Sequence, residues 1–276
     1  MSATGGSDRL PEPIDLHAAF AERHAVKWGA ELPTAAQHSA EYGPDAARLR
    51  LTTLQRRLRT EQLTTGDFLA AAPDSATAYN LDSRVKSPMS LARQFQNRLE
   101  RDKEGEPNDV LRFTVLCRTP GELAAAARST VGKLQASGWA VQSAMHSYTA
   151  GSRYKGLHAD LRTPAGDVVE LQFHSIASTR VKEATTRPYE IERSAAASDS
   201  ERAAARALCV DLSDTLATPP GLDDLRTLGG VAVDANNYSD SRNQRAPLEE
   251  RTGSTTSDRQ SQRHQATARQ IDGTGR

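Results

Sequence analysis

Two runs of the chain, Gly156–Thr163 (GLHADLRT) and Val168–His174 (VVELQFH), alternate apolar and polar side chains, and only a Pro-Ala-Gly-Asp stretch separates them. Strict alternation sends successive side chains to opposite faces of a strand, so the pair predicts an antiparallel hairpin. A three-residue loop, Ala165-Gly166-Asp167, sets Arg162 opposite Glu170, Asp160 opposite Gln172 and His158 opposite His174. Leu161 and Leu171, and Ala159 and Phe173, then share the other face. A slip of one residue would mix the two faces.

A third run, Val110–Cys117 (VLRFTVLC), is rich in β-branched and aromatic residues and carries the same signature. Arg112 and Thr114 fall on one side, Leu111, Phe113 and Val115 on the other, and Asp109 stands at its mouth. At least three strands therefore offer an apolar face to helices and a polar face bearing Arg112, His158, Asp160, Arg162, Glu170, Gln172 and His174. Antiparallel sheets commonly leave one face to water, but such faces favour Lys, Thr and Ser. The pattern leaves two readings open, a solvated face and a surface built for chemistry.

The rest of the chain supplies helices. Residues 1–15 are rich in Gly, Ser and Pro and are expected to be flexible; residues 16–79 form a helical region, with leucines 51, 54 and 58 at helical spacing. Ser87-Pro88 opens a helix running to about Lys103. Thr119-Pro-Gly-Glu122 has the form of a capping box ahead of an Ala-rich helix, and Trp139–Tyr148 reads as a further strand. The core spans 80–193. Residues 194–218 hold a C-terminal helix with an apolar stripe at Ala204, Leu208, Leu212 and Leu216, and residues 219–276 form a polar, disordered tail. The fold class is α+β, a mixed and largely antiparallel sheet flanked by helices.

Composition excludes several functions. The 35 basic and 35 acidic residues balance, so the whole molecule exerts no pull on nucleic acid or anionic lipid, and a phosphate-binding surface must be local. No apolar run approaches the roughly 20 residues that span a bilayer, and the N-terminus lacks the basic and apolar segments of a signal peptide. A soluble, cytoplasmic chain with no membrane partner is expected. Cys117 and Cys209 lie inside apolar runs, as buried reduced thiols do, and no metal-ligand spacing of Cys and His occurs.

Four blocks in order add specificity: RVKSPMS at 84–90, NDVLRFTV at 108–115, YKGLH at 154–158 and VELQFHS at 169–175. Together they resemble the synthetase domain of the RelA/SpoT family of (p)ppGpp synthetases, which moves pyrophosphate from ATP to a nucleotide 3′-hydroxyl. VKEATTRPYEIER at 181–193 is similar to that family's closing helix. The resemblance covers roughly residues 80–193 and implies a nucleotidyltransferase-like fold. It implies Glu170 as catalytic glutamate, Asp109 as ligand of Mg²⁺ with Glu170 sharing the ion, and Arg84, Lys86, Ser87, Ser90, Arg93 and Arg112 on ATP. It also implies Tyr154 stacking on the acceptor base, with Lys155, His158, Gln172 and His174 on acceptor phosphate or ribose. The chemistry agrees, since pyrophosphate transfer needs neutralised donor phosphates, an in-line hydroxyl and a group to receive its proton.

Departures from the family pattern are Gln94 in place of a common Lys, His174 in place of a common Arg, and Arg187 where His is frequent. No His-Asp pair of a hydrolase domain precedes the blocks, which implies a small, synthesis-only member. Such members include alarmone synthetases and toxins, so the partners implied are ATP and a guanosine or adenosine nucleotide, with an antitoxin where the chain is a toxin or a delivered effector. Two alternatives stay open. One is pyrophosphorylation of the tRNA 3′ end, for which Arg48, Arg50, Arg56, Arg57 and Arg59 are a hint; the other is a non-catalytic nucleotide-binding or interaction domain.

Overall fold

The computed structural model describes residues 10–99, 105–194 and 196–239 of the chain. The described residues up to Asn237 form one compact unit, to which the helices and strands below belong. Helices come first: α1 (Pro13–Phe20), α2 (Ala35–Tyr42) and the long α3 (Pro44–Ala71). Thr34 caps α2 through a reciprocal box with Gln37, accepting from its N–H at 3.2 Å while Gln37 Oε1 accepts the Thr34 N–H at 2.7 Å. Helix α3 turns Ala47, Leu51, Leu54 and Phe68 inward, and Phe68 stacks on Phe113 at 4.6 Å. Leu58, expected in that stripe, is only partly buried.

There follow β1 (Ala76–Tyr79), α4 (Pro88–Leu99), β2 (Arg112–Cys117), α5 (Leu123–Ala136), β3 (Ala140–His146), β4 (Leu157–Arg162) and β5 (Val168–Ser175). The unit closes with α6 (Ile176–Arg193), α7 (Asp199–Asp214), β6 (Thr227–Leu228) and β7 (Val231–Ala235). The capping box at Thr119 and Glu122 forms as the sequence expects, one turn ahead of α5. The strands make one sheet in the order β1-β2-β5-β4-β3-β7-β6. Only the β2/β5 and β3/β7 pairs are parallel, so the sheet is mixed and largely antiparallel, as expected. Its apolar face, with Phe113, Val115, Leu157, Ala159, Leu161, Leu171 and Phe173, is buried with α5 residues Leu123, Ala127, Val131 and Leu134 in the core. Cys117 and Cys209 are buried and form no disulfide. Among the described residues, no helix is long and apolar enough to cross a membrane.

Three expectations need correction. The β4–β5 hairpin sits two residues from the expected register, with His158 opposite Gln172, Asp160 opposite Glu170 and Leu161 opposite Val169. Pro164 explains the difference: it has no N–H to give a ladder, so the turn widens to Thr163–Asp167. The Thr163 N–H bonds to Asp167 O at 2.8 Å, and the Gly166 N–H to Thr163 O at 2.9 Å, with Gly166 at φ +90°. A slip of two keeps every side chain on its face, which is why alternation alone could not detect it.

The second correction concerns the tail. Residues 227–235 form a hairpin turned by Gly229-Gly230, and β7 joins the sheet parallel to β3, Ala144 to Val233 and His146 to Ala235. A Cβ on Gly229 would stand 2.4 Å from Val141 Cγ2 at a φ of +58°, so only glycine fits. Leu222, Leu225 and Leu228 complete the anchor in the core. The remainder of the expected tail, 240–276, lies outside the described residues, as do residues 1–9 of the expected flexible N-terminus; α1 begins within that stretch, at Pro13. Third, α7 buries Ala205, Cys209 and Ser213 rather than the expected stripe, and Leu208 is exposed. Small side chains at i, i+4 spacing let α7 lie close along α6, where Cys209 Sγ reaches Thr185 O at 3.8 Å.

Candidate active site

The polar face of the sheet is not left to water. His158 is 7% exposed, Gln172 5% and His174 0%, with the first turns of α6 over them. The parallel β2/β5 register sets Arg112 beside Glu170 and Thr114 beside Gln172, while β4 brings His158 and Asp160 from the other side. Glu170 Oε1 accepts from His158 Nδ1 at 2.7 Å and from Gln172 Nε2 at 3.1 Å. Gln172 Oε1 in turn accepts from Lys182 Nζ at 2.9 Å. The Tyr154 hydroxyl lies between His158 Nε2 at 2.9 Å and His174 Nε2 at 2.7 Å, and His174 Nδ1 meets Ser178 Oγ at 3.1 Å. Asp160 turns to Asn108 and Ser143 instead.

These surroundings set the charges. Burial by itself would raise the Glu170 carboxyl, but the His158 hydrogen bond and charge, with Arg112 and Gln172, outweigh it and hold the group down at about 2. Burial, reinforced by Lys182, His158 and Arg112, pushes His174 well below the usual histidine range. This disfavours the charged form of His174. Burial and then Arg112 bring the Lys182 ammonium down to about 8.

A second cluster forms where the segment before α4 runs beside β2. The Lys86 N–H bonds to Val110 O at 2.9 Å, which places Lys86 next to Asp109. Lys86 Nζ forms an ion pair with Asp109 Oδ2 and donates to Gln94 Oε1 at 2.8 Å; Gln94 Nε2 donates to Asp109 Oδ1 at 2.8 Å. Burial lowers the Lys86 ammonium, partly offset by Asp109. Gln94, a departure from the family pattern, thus closes a three-membered ring. Ser87 Oγ accepts the Ser90 N–H at 3.2 Å and donates to Ser90 Oγ at 3.1 Å, capping α4. The Arg93 side chain lies outside the described residues.

Arg84 does not belong to the site. It is 1% exposed, and its guanidinium donates to Glu61 Oε1 at 2.6 Å and to the carbonyls of Ala25, Leu81, Phe20 and His24 at 2.8–3.1 Å. No donor is left for a phosphate. Among the described residues, by contrast, Arg112 has no hydrogen-bond partner for its guanidinium.

The loop ahead of β4 divides its residues. Lys155 Nζ pairs with Asp214 Oδ1 at 2.9 Å and reaches Leu216 O at 3.2 Å, while the Gly151 N–H meets both Asp214 oxygens at 3.0 and 3.2 Å. Arg153 forms a buried pair with Glu192 at 2.7 Å. Tyr154 instead points inward, its ring edge-on to both histidines at 5.3 and 5.7 Å. A Cβ on Gly156 would lie 2.8 Å from the Tyr154 hydroxyl, 2.9 Å from His158 Nε2 and 3.0 Å from His174 Cε1. Sequence reasoning missed Lys182 and Ser178. Their signal was present, because i, i+4 spacing on a helix that directly continues β5 puts both over the strand bearing Gln172 and His174.

A pocket of about 320 Å³ opens at the β4–β5 turn, but its arginines, Arg56 and Arg57, already face Glu106 and Asp167. Among the described residues, no group of three or more His, Cys, Asp or Glu could hold a metal ion. The two carboxylates Asp109 and Glu170 nevertheless suit Mg²⁺, which takes one or two carboxylates and completes its shell with phosphate oxygens and water. No described residue hydrogen bonds to Glu170 Oε2.

No family model matches the chain, and no curated protein matches it. Solved structures do. The type VI effector Tas1, solved with its immunity protein, is 16% identical over 57% of this chain and 92% of its own, with a TM-score of 0.35. A GTP pyrophosphokinase family protein from Streptococcus pneumoniae is 12% identical over 58% and 82%, with a TM-score of 0.33. Small alarmone synthetase 1 from Bacillus subtilis is 14% identical over 58% and 87%, with a TM-score of 0.31. What the site can do follows from its own residues.

Proposed function

We propose that the chain transfers pyrophosphate from ATP to the 3′-hydroxyl of a guanosine or adenosine nucleotide, releasing AMP. One observation carries this reading: an enclosed, ionised carboxylate, Glu170, shares the sheet floor with three cations, Lys86, Arg112 and Lys182. Such a floor is complementary to a polyphosphate that brings its own negative charge.

Arg112 and Lys182 neutralise donor oxygens, and Lys86 passes from Asp109 to a phosphate. Asp109 and Glu170 would hold Mg²⁺, which supplies further neutralisation across the donor phosphates. Glu170 acts through orientation. A carboxylate held at about 2 is a weak base, so Oε2 aligns the 3′-hydroxyl by hydrogen bond and charge, and a loose phosphoryl-transfer transition state asks for little more. The tRNA alternative keeps part of its hint: Arg50 and Arg57 are buried, Arg56 and Arg57 pair with Glu106, and Arg48 and Arg59 are exposed.

The test offers GDP, GTP, AMP, ADP and deacylated tRNA separately to the protein, with Mg²⁺ and ATP labelled on its terminal phosphate. Label should enter a guanosine or adenosine nucleotide with release of AMP, and Glu170→Gln should slow this about 10²–10³-fold. Label in tRNA alone would move the reading to the toxin-type reaction. No transfer to any acceptor, with ATP binding retained, would sink it.

A further inference from the structure

The hydrogen-bonded chain that ends on Glu170 is longer than acceptor binding requires. It runs from Ser178 through His174, the Tyr154 hydroxyl and His158 to Glu170 Oε1, over four contacts of 2.7–3.1 Å. Both nitrogens of each imidazole are used, so neither ring can turn without losing two bonds. Tyr154 presents its ring edge-on to both, at interplanar angles of 78° and 76°, and its hydroxyl is the atom that joins them. Gly156 lets the three rings close without a Cβ between them.

We infer that Tyr154 is a positioning residue: its hydroxyl, bridging His158 and His174, holds His158 in the orientation that engages Glu170 Oε1 and leaves Oε2 to the acceptor hydroxyl. The catalytic consequence rests on the pyrophosphate-transfer reading; the bridge does not. Donor counting gives it a signature. The Tyr154 hydroxyl has one proton and can donate to one Nε2 only; the other Nε2 must donate to it. One of the two Nε2 atoms is therefore protonated and the other bare.

Two measurements on the full chain test this. In the ¹⁵N-histidine NMR spectrum of the ligand-free protein, one of these Nε2 atoms should have the shift of a protonated nitrogen and the other that of a bare one. Both should move in Tyr154→Phe. In steady-state transfer, Tyr154→Phe keeps the ring and loses the hydroxyl; kcat should fall about ten- to a hundredfold while the acceptor KM stays within about twofold. An aromatic platform for a base would tolerate Phe and lose affinity only with Leu. Unchanged kcat in Tyr154→Phe, a rise confined to KM, or two Nε2 atoms in the same state would overturn the inference. Should Tyr154→Phe not fold, the wild-type nitrogen spectrum decides alone. Should the wild type transfer to no acceptor, the functional reading fails and the same spectrum still decides the bridge.

Discussion

Arg84 and Lys86 lie two residues apart, yet the chain between them passes from one electrostatic regime to another. On the helical side, Arg84 is matched by Glu61 and four main-chain carbonyls, and Arg57 by Asp167 and Glu106. On the sheet floor, Lys86 pairs with Asp109, Glu170 is engaged by His158, and Asp160 turns to Asn108 and Ser143. In the first region both guanidinium groups are bound by carboxylates, and these pairs hold the fold. In the second, Lys182 donates to the neutral amide of Gln172 and, among the described residues, the Arg112 guanidinium has no hydrogen-bond partner, which leaves both cations open to an anion. A cation without a carboxylate partner, more than the number of basic residues, separates a site for phosphates from a structural ion pair.

Three perturbations would break or sharpen this contrast. The largest is Glu61→Gln, which strands the Arg84 guanidinium inside the protein. It should cost about 3–5 kcal/mol in urea unfolding, with transfer per folded molecule little changed; a selective loss of transfer at normal stability would return Arg84 to the site.

Next is Lys182→Met, which should weaken ATP binding about tenfold while leaving stability equal or higher, read by calorimetry and chemical denaturation side by side. Its pH signature has a definite sign. Lys182 titrates at about 8 in the fold, below its ordinary 10.5, so above 8 the unfolded chain holds the extra proton and stability rises with pH. Up to the ordinary thiol value of 9.0 the lowered Lys86 ammonium acts with the same sign, and beyond it the raised Cys117 thiol acts with the opposite one. Lys182→Met should flatten that rise, and an unaltered slope would place the proton elsewhere.

The smallest effect is expected from Asp214→Asn, which releases Lys155 and the Gly151 amide. Acceptor KM should fall about two- to fivefold if freed Lys155 meets acceptor phosphate. A KM that does not move, with a lower melting temperature, would make this clasp purely structural.

The face of each strand was legible because parity is local: His158, Glu170, Gln172 and His174 share a side whatever their partners. Register was not, since a two-residue slip conserves parity and only the missing N–H of Pro164 argues against the shorter loop. Strand β7 went unread because its burial depends on β3, far away in sequence, although Gly229-Gly230 marks its hairpin. Arg84 looked like a phosphate ligand because Glu61, which claims it, lies on another element. Lys182 could have been found by carrying the β5 face into the first turns of α6. Tyr154 resisted for a different reason: its two histidines are visible in sequence, but the inward turn of its ring is a tertiary choice.

Gly156 bears on how such a protein drifts. Any side chain there, even one methyl group, must push three rings apart, and a single-base change from a glycine codon suffices to introduce one. A descendant carrying Gly156→Ala would retain Asp109, Glu170, Tyr154 and both histidines, and a census of polar residues would count it as intact. Its loss of activity would be written in the one position of the network that has no chemistry of its own.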